Sequence, residues 1–170
     1  MYNVMESLWK IYLYLNEKAQ KIVLDKFDKC LRRFCEIEFI KLEFFDEIDS
    51  LNHSMNKFDE NHLAVGVYSY KTDNKDKIVV NEIYPRIKLT KDYDIYTLAH
   101  EIGHHLAIKN FKDGTECIAD HFILILAEEY LSDIERYIIS ISLNVYSKID
   151  FPLPKIKRKD WKKFKKEHNL

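Results

Sequence analysis

The sequence has few of the residues that interrupt regular structure. Its 170 residues include 3 glycines, 3 prolines and 3 cysteines. So little glycine and proline predicts mostly regular helices and strands, and an apolar fraction of 46% excludes general disorder. The odd number of cysteines, at unrelated spacings, excludes a disulfide framework and a four-cysteine zinc site built from this chain alone. We therefore expect reduced cysteines and a fold stabilised by its own apolar core.

Long apolar segments are missing as well. No run approaches 18 uncharged apolar residues, so we expect no membrane span. The first 20 residues lack a basic start followed by a clean apolar stretch, which argues against an export signal and for a cytoplasmic location. The length fits one domain. We predict a single domain over residues 1–154, followed by a basic C-terminal tail over residues 155–170.

The near-neutral charge hides two unlike segments. The formal net charge is −1, but residues 1–154 carry 19 basic and 26 acidic side chains, whereas residues 155–170 carry 8 basic and 2 acidic ones. The tail, KIKRKDWKKFKKEHNL, has the composition of a segment that binds nucleic acid, an anionic membrane or an acidic partner. A solvated tail that contacts the acidic body explains the same composition. Nucleic-acid binding through residues 155–170 is therefore not the favoured prediction.

The periodicity of apolar residues predicts an α+β fold. Helical spacing fills residues 3–34 with one long or two shorter helices, and alternation predicts strands and a hairpin in the middle of the chain. Asp94 is a good N-cap for the next helix, and Ser132 with Glu135 has capping-box spacing before another. The predicted architecture is zincin-like: N-terminal helices, a small and mostly antiparallel sheet with a hairpin, and three later helices. The ranges are a strand over 36–45, a hairpin over 63–70 and 77–84, a helix after 94, a turn at 112–114, a helix over 115–131 and a helix from 132.

The motif that predicts chemistry is H-E-x-x-H at residues 100–104. On a helix, His100 and His104 lie one turn apart, at the separation from which two imidazoles can bind one ion. Glu101 is rotated toward a water on that ion. The opposite face of the helix carries an aliphatic stripe formed by Ile95, Leu98, Ile102 and Leu106. We therefore predict a helix that buries one face and presents zinc ligands on the other.

A catalytic zinc requires a third protein ligand and one open position. Glu116 and Asp120 are four residues apart and share one face of the following helix. We interpret Glu116 as the third ligand and Asp120 as the acceptor of the second ring N–H of His100. The reverse assignment, with Asp120 as ligand and Glu116 at the rim, remains open at this stage.

Other residues near the motif are predicted to be structural. Gly103, inside a helix, costs roughly 1 kcal/mol against alanine, so we expect another segment to approach closely there. His105 and His121 are rotated off the ligand faces and are expected to pack or cap. Cys117 is expected to be a buried thiol.

The two motifs resemble those of a known family. TLAHEIGHHLA at 97–107 and ECIADHF at 116–122 are similar to the ImmA/IrrE-type zinc metallopeptidases of bacteria and mobile elements, within the gluzincin group. The resemblance implies one Zn²⁺ per chain with ligands His100, His104 and Glu116, and Glu101 as catalytic base. It also implies an intracellular protein substrate, such as a transcriptional regulator or repressor of a mobile element. The helix-turn-helix region that often accompanies repressor-directed members is not found here.

Two function classes follow from the sequence. The first is a zinc-dependent metallopeptidase that hydrolyses peptide bonds of an intracellular protein. The alternative is a non-catalytic binding module on the same scaffold, which engages protein or nucleic acid through the basic tail.

Overall fold

A computed structural model of the chain describes residues 2–46, 66–69, 85–147 and 153–170. These residues form an α+β fold, the class predicted from the sequence. The helices and strands are α1 Tyr2–Ile37, β1 Lys41–Phe45, β2 Gly66–Ser69, β3 Arg86–Thr90, α2 Ile95–Phe111, α3 Glu116–Tyr130, α4 Asp133–Ser147 and α5 Arg158–Glu167. The chain divides into two compact units, one of residues 30–123 and one of residues 1–29 with 124–170.

Helix α1 is one continuous helix. Within residues 16–37, whose side chains are described, the most buried ones recur every four residues, at Ala19, Val23, Phe27, Leu31 and Cys35, each at most 1% exposed. The predicted strand over 36–45 is wrong in its first half, because the helix continues to Ile37. Phe39 then takes a left-handed conformation with φ 56°, and the Ile40 N–H donates to the Cys35 carbonyl at 2.8 Å. This is the Schellman arrangement that closes a helix, and β1 starts directly after it.

The sheet has three strands in the order β1-β3-β2. Strand β1 is parallel to β3, and β2 is antiparallel to β3. The prediction of a mostly antiparallel sheet is therefore wrong for the described residues, since one of the two pairings is parallel. The second predicted hairpin strand, 77–84, lies outside the described residues. Pro85, which lacks an N–H, directly precedes β3, and its carbonyl accepts the Lys41 N–H at 3.1 Å.

Helices α2 and α3 form where the sequence predicts them. The Asp94 carboxylate accepts the Thr97 N–H at 2.9 Å and caps the start of α2. Lys112, in a left-handed conformation, ends α2 by donating its N–H to the Ile108 carbonyl. The apolar face of α2 is buried and packs on β2 and β3. The opposite face of α2 carries His100 and His104.

The second unit contains the capping box and the C-terminal helix. The Ser132 N–H donates to the Glu135 carboxylate at 2.8 Å and the Glu135 N–H to the Ser132 hydroxyl at 3.5 Å, which confirms the predicted start of α4. The basic tail is more ordered than predicted, because α5 forms within it and Phe164 is 3% exposed. In the part of the chain that the structure describes, no helix is both long and apolar enough to cross a bilayer.

Candidate metal centre

The centre lies where α2 and α3 approach each other. A Cβ added to Gly103 would lie 2.3 Å from the carbonyl oxygen of Ala119, so only glycine fits at this position. Ala119 is itself fully buried. The close approach predicted from Gly103 is confirmed, and it places one face of α3 beside His100 and His104.

Three predicted ligand side chains converge at this contact. The Nε2 atoms of His100 and His104 lie 3.1 Å apart. The Glu116 carboxylate lies 2.8 Å from His100 Nε2 and 3.5 Å from His104 Nε2. A tetrahedral ion with ligand bonds of about 2.1 Å separates its ligand atoms by about 3.4 Å. The three side chains are therefore spaced to accept an ion of zinc size with small adjustments.

The other nitrogen of each ring is held by a hydrogen bond. His100 Nδ1 lies 2.8 Å from Asp120 Oδ1, and His104 Nδ1 lies 2.9 Å from the carbonyl oxygen of Gly114. Since a carbonyl and a carboxylate only accept hydrogen bonds, both Nδ1 atoms carry the hydrogen. Both Nε2 atoms then lie on the side of Glu116, where an ion would be bound. Such support of the far nitrogen is usual for histidines that bind a metal.

The electrostatics of this cluster favour a cation. Burial lowers the pKa of His104, and the neighbouring His100 lowers it further, while Glu116 and the Gly114 carbonyl act in the opposite direction. His104 is therefore neutral at pH 7, and its Nε2 lone pair faces another imidazole and a carboxylate. This donor set fits a divalent metal of the zinc type, whose preferred ligands include imidazole and carboxylate.

The two acidic residues of α3 occupy different sides of His100. Glu116 contacts the Nε2 side, where the ligand atoms gather, and Asp120 contacts the Nδ1 side. This geometry favours Glu116 over Asp120 as the third ligand. The side chain of Glu116 is 72% exposed, so the cluster is open to solvent at this end.

Glu101 is buried beside the cluster. It is 7% exposed, and burial raises its pKa to about 7. His100 lowers the pKa of Glu101 and Glu116 raises it, which shows that Glu101 lies within the field of the ligand set. The main-chain N–H of Tyr68 on β2 donates a hydrogen bond to its carboxylate. A carboxyl group with a pKa near 7 is suited to exchange protons at neutral pH.

A second network, not predicted from the sequence, holds β2 to α2. The Tyr68 hydroxyl donates to His105 Nδ1 at 3.0 Å, and His105 Nε2 donates to Glu38 at 3.3 Å. Lys109 also donates to Glu38. Residues 38, 68 and 105 are far apart in sequence, so no local spacing could have indicated the contact. His105 is 8% exposed, as expected of a packing residue, but its role extends to fixing the residue whose N–H contacts Glu101.

The remaining expectations for α3 are partly wrong. His121 is exposed, and its ring nitrogen bonds to the Cys117 carbonyl at 2.8 Å within the same helix. Cys117 is exposed instead of buried, because it sits beside Glu116 at the open end of α3. None of the three cysteines forms a disulfide.

Comparisons with protein-family models, with curated proteins and with solved structures found no match. The resemblance to the ImmA/IrrE-type metallopeptidases therefore rests on the motifs of α2 and α3 and stays a prediction. The structure brings together His100, His104, Glu116 and Asp120 with Glu101 beside them.

Proposed function

We propose that the chain is a zinc-dependent metallopeptidase that hydrolyses peptide bonds of a protein substrate. The observation that carries the proposal is the convergence of two imidazole Nε2 atoms and the Glu116 carboxylate next to a buried glutamate with a pKa of about 7. The motif resemblance adds the substrate class, an intracellular protein such as a transcriptional regulator.

The residues present fit one Zn²⁺ per chain. His100, His104 and Glu116 would hold the ion, while Asp120 and the Gly114 carbonyl keep the two rings in the required tautomer. Bound there, Zn²⁺ supplies Lewis acidity, which polarises a carbonyl oxygen and makes a water more acidic. The exposure of Glu116 leaves one side of the site open to a substrate chain.

Glu101 supplies the proton transfers. Its carboxylate takes a proton from the attacking water at one carboxylate oxygen and returns it to the nitrogen of the leaving amine. The Tyr68 N–H donates to this carboxylate and helps to hold it in place. A structural metal site would gain nothing from a buried carboxylate without a compensating cation, so this feature favours catalysis over the non-catalytic binding module.

The proposal is tested with a synthetic decapeptide library incubated with the zinc-loaded chain, with new termini identified by mass spectrometry. The matched variant is Glu101→Gln, which should retain wild-type zinc content and cleave at least about 100-fold more slowly. Removal of zinc with EDTA should stop cleavage by the wild type. Equal cleavage by Glu101→Gln would refute the role of Glu101. Full zinc occupancy without any cleavage by the wild type would favour the binding module.

A further inference from the structure

Helix α5 is a fixed element and not a frayed tail. Its first turn is closed by the Lys157 N–H, which donates to the Asp160 carboxylate at 2.9 Å. Phe164 is 3% exposed, and its ring stacks on Trp161 at 5.8 Å and contacts His168 at 4.4 Å. Helix α4 contacts α5. The aromatic side of α5 is therefore occupied within the protein.

The opposite side of α5 carries a row of lysines. Lys159, Lys162, Lys163 and Lys166 follow the spacing of residues that share one helical face, and each is exposed. At about 100° per residue, this face is centred roughly opposite Phe164. We call these four residues the lysine stripe. Because the far side of the helix is anchored, the backbone positions of the stripe are held in a row, and each ammonium group extends from it on a flexible stem.

Within the described part of the protein, the stripe lysines form few ion pairs. Lys163 lies 3.8 Å from Glu167 of the same helix, at the edge of the stripe. Among the described residues, no ion pair engages Lys159, Lys162 or Lys166. The unit formed by residues 1–29 and 124–170 holds 15 basic and 11 acidic side chains, so it is net positive. Its own composition therefore does not neutralise the stripe.

We propose that the lysine stripe binds the phosphate backbone of double-stranded nucleic acid without reading its sequence. From Lys159 to Lys166 the stripe extends about 10 Å along the helix, a length over which a duplex carries about six phosphate charges. Ammonium groups act as point charges and lack the planar fork that reads guanine, which favours backbone contacts over base contacts. This surface shares no residue with the metal centre, and the proposal does not depend on the proposed peptidase activity.

A membrane surface is a poorer fit for α5. A helix that lies in a bilayer interface buries its apolar side among the lipids. In α5 that side is formed by Phe164 and Trp161, and Phe164 is already buried in the protein. The Trp161 ring stacks on Phe164 and lies under Lys165, whose Nζ is 5.8 Å from the ring centroid, so its contacts are made within α5.

The test uses the full chain and a fluorescein-labelled 20-base-pair DNA duplex of arbitrary sequence, measured by fluorescence anisotropy. We expect a Kd of about 10 μM or tighter at low salt and a roughly 100-fold loss of affinity between 50 and 200 mM salt, as four phosphate contacts predict. A second duplex of unrelated sequence should bind equally. Changing all four stripe lysines to glutamine should weaken binding at least about tenfold and flatten the salt dependence.

The matched control changes Lys21, Lys29, Lys91 and Lys112 to glutamine, four exposed lysines outside α5. It has the same net charge as the stripe variant and should bind almost as the wild type does. Thermal unfolding of both variants should match the wild type, because the altered side chains are exposed. Absent duplex binding at 50 mM salt, an equal loss in both variants, or binding only to vesicles of phosphatidylcholine and phosphatidylserine would each overturn the proposal.

Discussion

Two glutamates of this chain are equally buried and have opposite pKa shifts. Glu101, in the unit of residues 30–123, and Glu135, in the other unit, are each 7% exposed. Burial raises the pKa of Glu101 to about 7. Burial also acts to raise the pKa of Glu135, but hydrogen bonds from Lys26 and Ser132 outweigh it and lower the pKa. The difference lies in what each carboxylate contacts.

Among the described residues, Glu135 forms an ion pair with Lys26, whereas no ion pair is found for Glu101. The Lys26 Nζ lies 2.7 and 2.8 Å from the two oxygens of Glu135. Burial dominates at Glu101, where His100 lowers the pKa, Glu116 raises it and the Tyr68 N–H donates a hydrogen bond. A buried carboxylate without a compensating cation costs stability, and such groups concentrate at functional sites. The comparison thus separates a carboxylate held by an ion pair from one whose protonation changes near neutral pH.

The largest expected effect is the gain in stability when a metal cation is added to the cluster beside Glu101. Zn²⁺ added to the metal-free chain should raise the free energy of unfolding by about 4 kcal/mol when its free concentration is about 1,000 times the Kd. His104→Ala should abolish this increase, because it removes one Nε2 ligand. His121→Ala, an exposed histidine outside the cluster, is the matched control and should respond as the wild type does. Urea unfolding with zinc or EDTA measures the effect.

The same titration ranks the two acidic residues of α3. Glu116→Ala should weaken zinc binding more than Asp120→Ala, which removes only the partner of His100 Nδ1 and should cost about 10- to 100-fold in affinity. The opposite ranking would make Asp120 the ligand. If Zn²⁺ left the free energy of unfolding unchanged, the cluster beside Glu101 would not bind the ion. The contrast between the two glutamates would then have no functional explanation.

The second-largest expected effect is a gain in stability on replacing Glu101 with glutamine. In EDTA at pH 8, Glu101→Gln should be more stable than the wild type by about 3 kcal/mol, because glutamine cannot acquire the buried charge. The folded-state pKa of about 7 lies above the ordinary 4.5, so the protonated group favours folding at low pH and this contribution is lost as the pH rises through 7. The difference should therefore nearly vanish at about pH 4. A variant less stable than the wild type at pH 8 would show that the charge is compensated after all.

The third effect concerns the helix contact that brings α3 to the ligand face. Gly103→Ala should lower the free energy of unfolding by about 2 kcal/mol, since the clash with the Ala119 carbonyl exceeds the gain in helix propensity. Gly114→Ala is the matched control: its nearest atoms are Ile108 Cγ1 and Cδ1 at 3.1 Å in a movable side chain, and it keeps the carbonyl that accepts from His104. We expect a loss below about 1 kcal/mol for this control. Thermal or urea unfolding of the two variants measures the losses. Equal losses of unfolding free energy in both variants would contradict a special backbone contact at Gly103.

The sequence predicts the local parts of the site and not its long-range parts. Helix periodicity and capping residues locate α2, α3 and α4, because the relevant contacts lie within four residues. The spacing of His100, His104, Glu116 and Asp120 likewise predicts which side chains meet. The parallel pairing of β1 with β3 and the Tyr68–His105–Glu38 network join distant residues, for which no spacing exists. The strand predicted from residue 36 is wrong at its start. Ile37 and Phe39 alternate as in a strand, but Ile37 still belongs to α1 and the left-handed Phe39 closes that helix.

The smallest expected effect concerns Glu135 and its ion pair with Lys26. Glu135→Gln should lower the free energy of unfolding at pH 7 by about 1–2 kcal/mol, because the ion pair with the half-exposed Lys26 is lost while the Ser132 N–H keeps an acceptor.

The folded-state pKa of Glu135 lies below the ordinary 4.5, so its contribution is present above 4.5 and is lost as the pH falls through the folded-state value. The difference between variant and wild type should therefore shrink as the pH falls below 4.5, in the opposite direction to that of Glu101→Gln. Urea unfolding across this range measures it, with the exposed Glu129→Gln as control. If Glu135→Gln instead gained stability at high pH, the two glutamates would be alike, and burial alone would account for both.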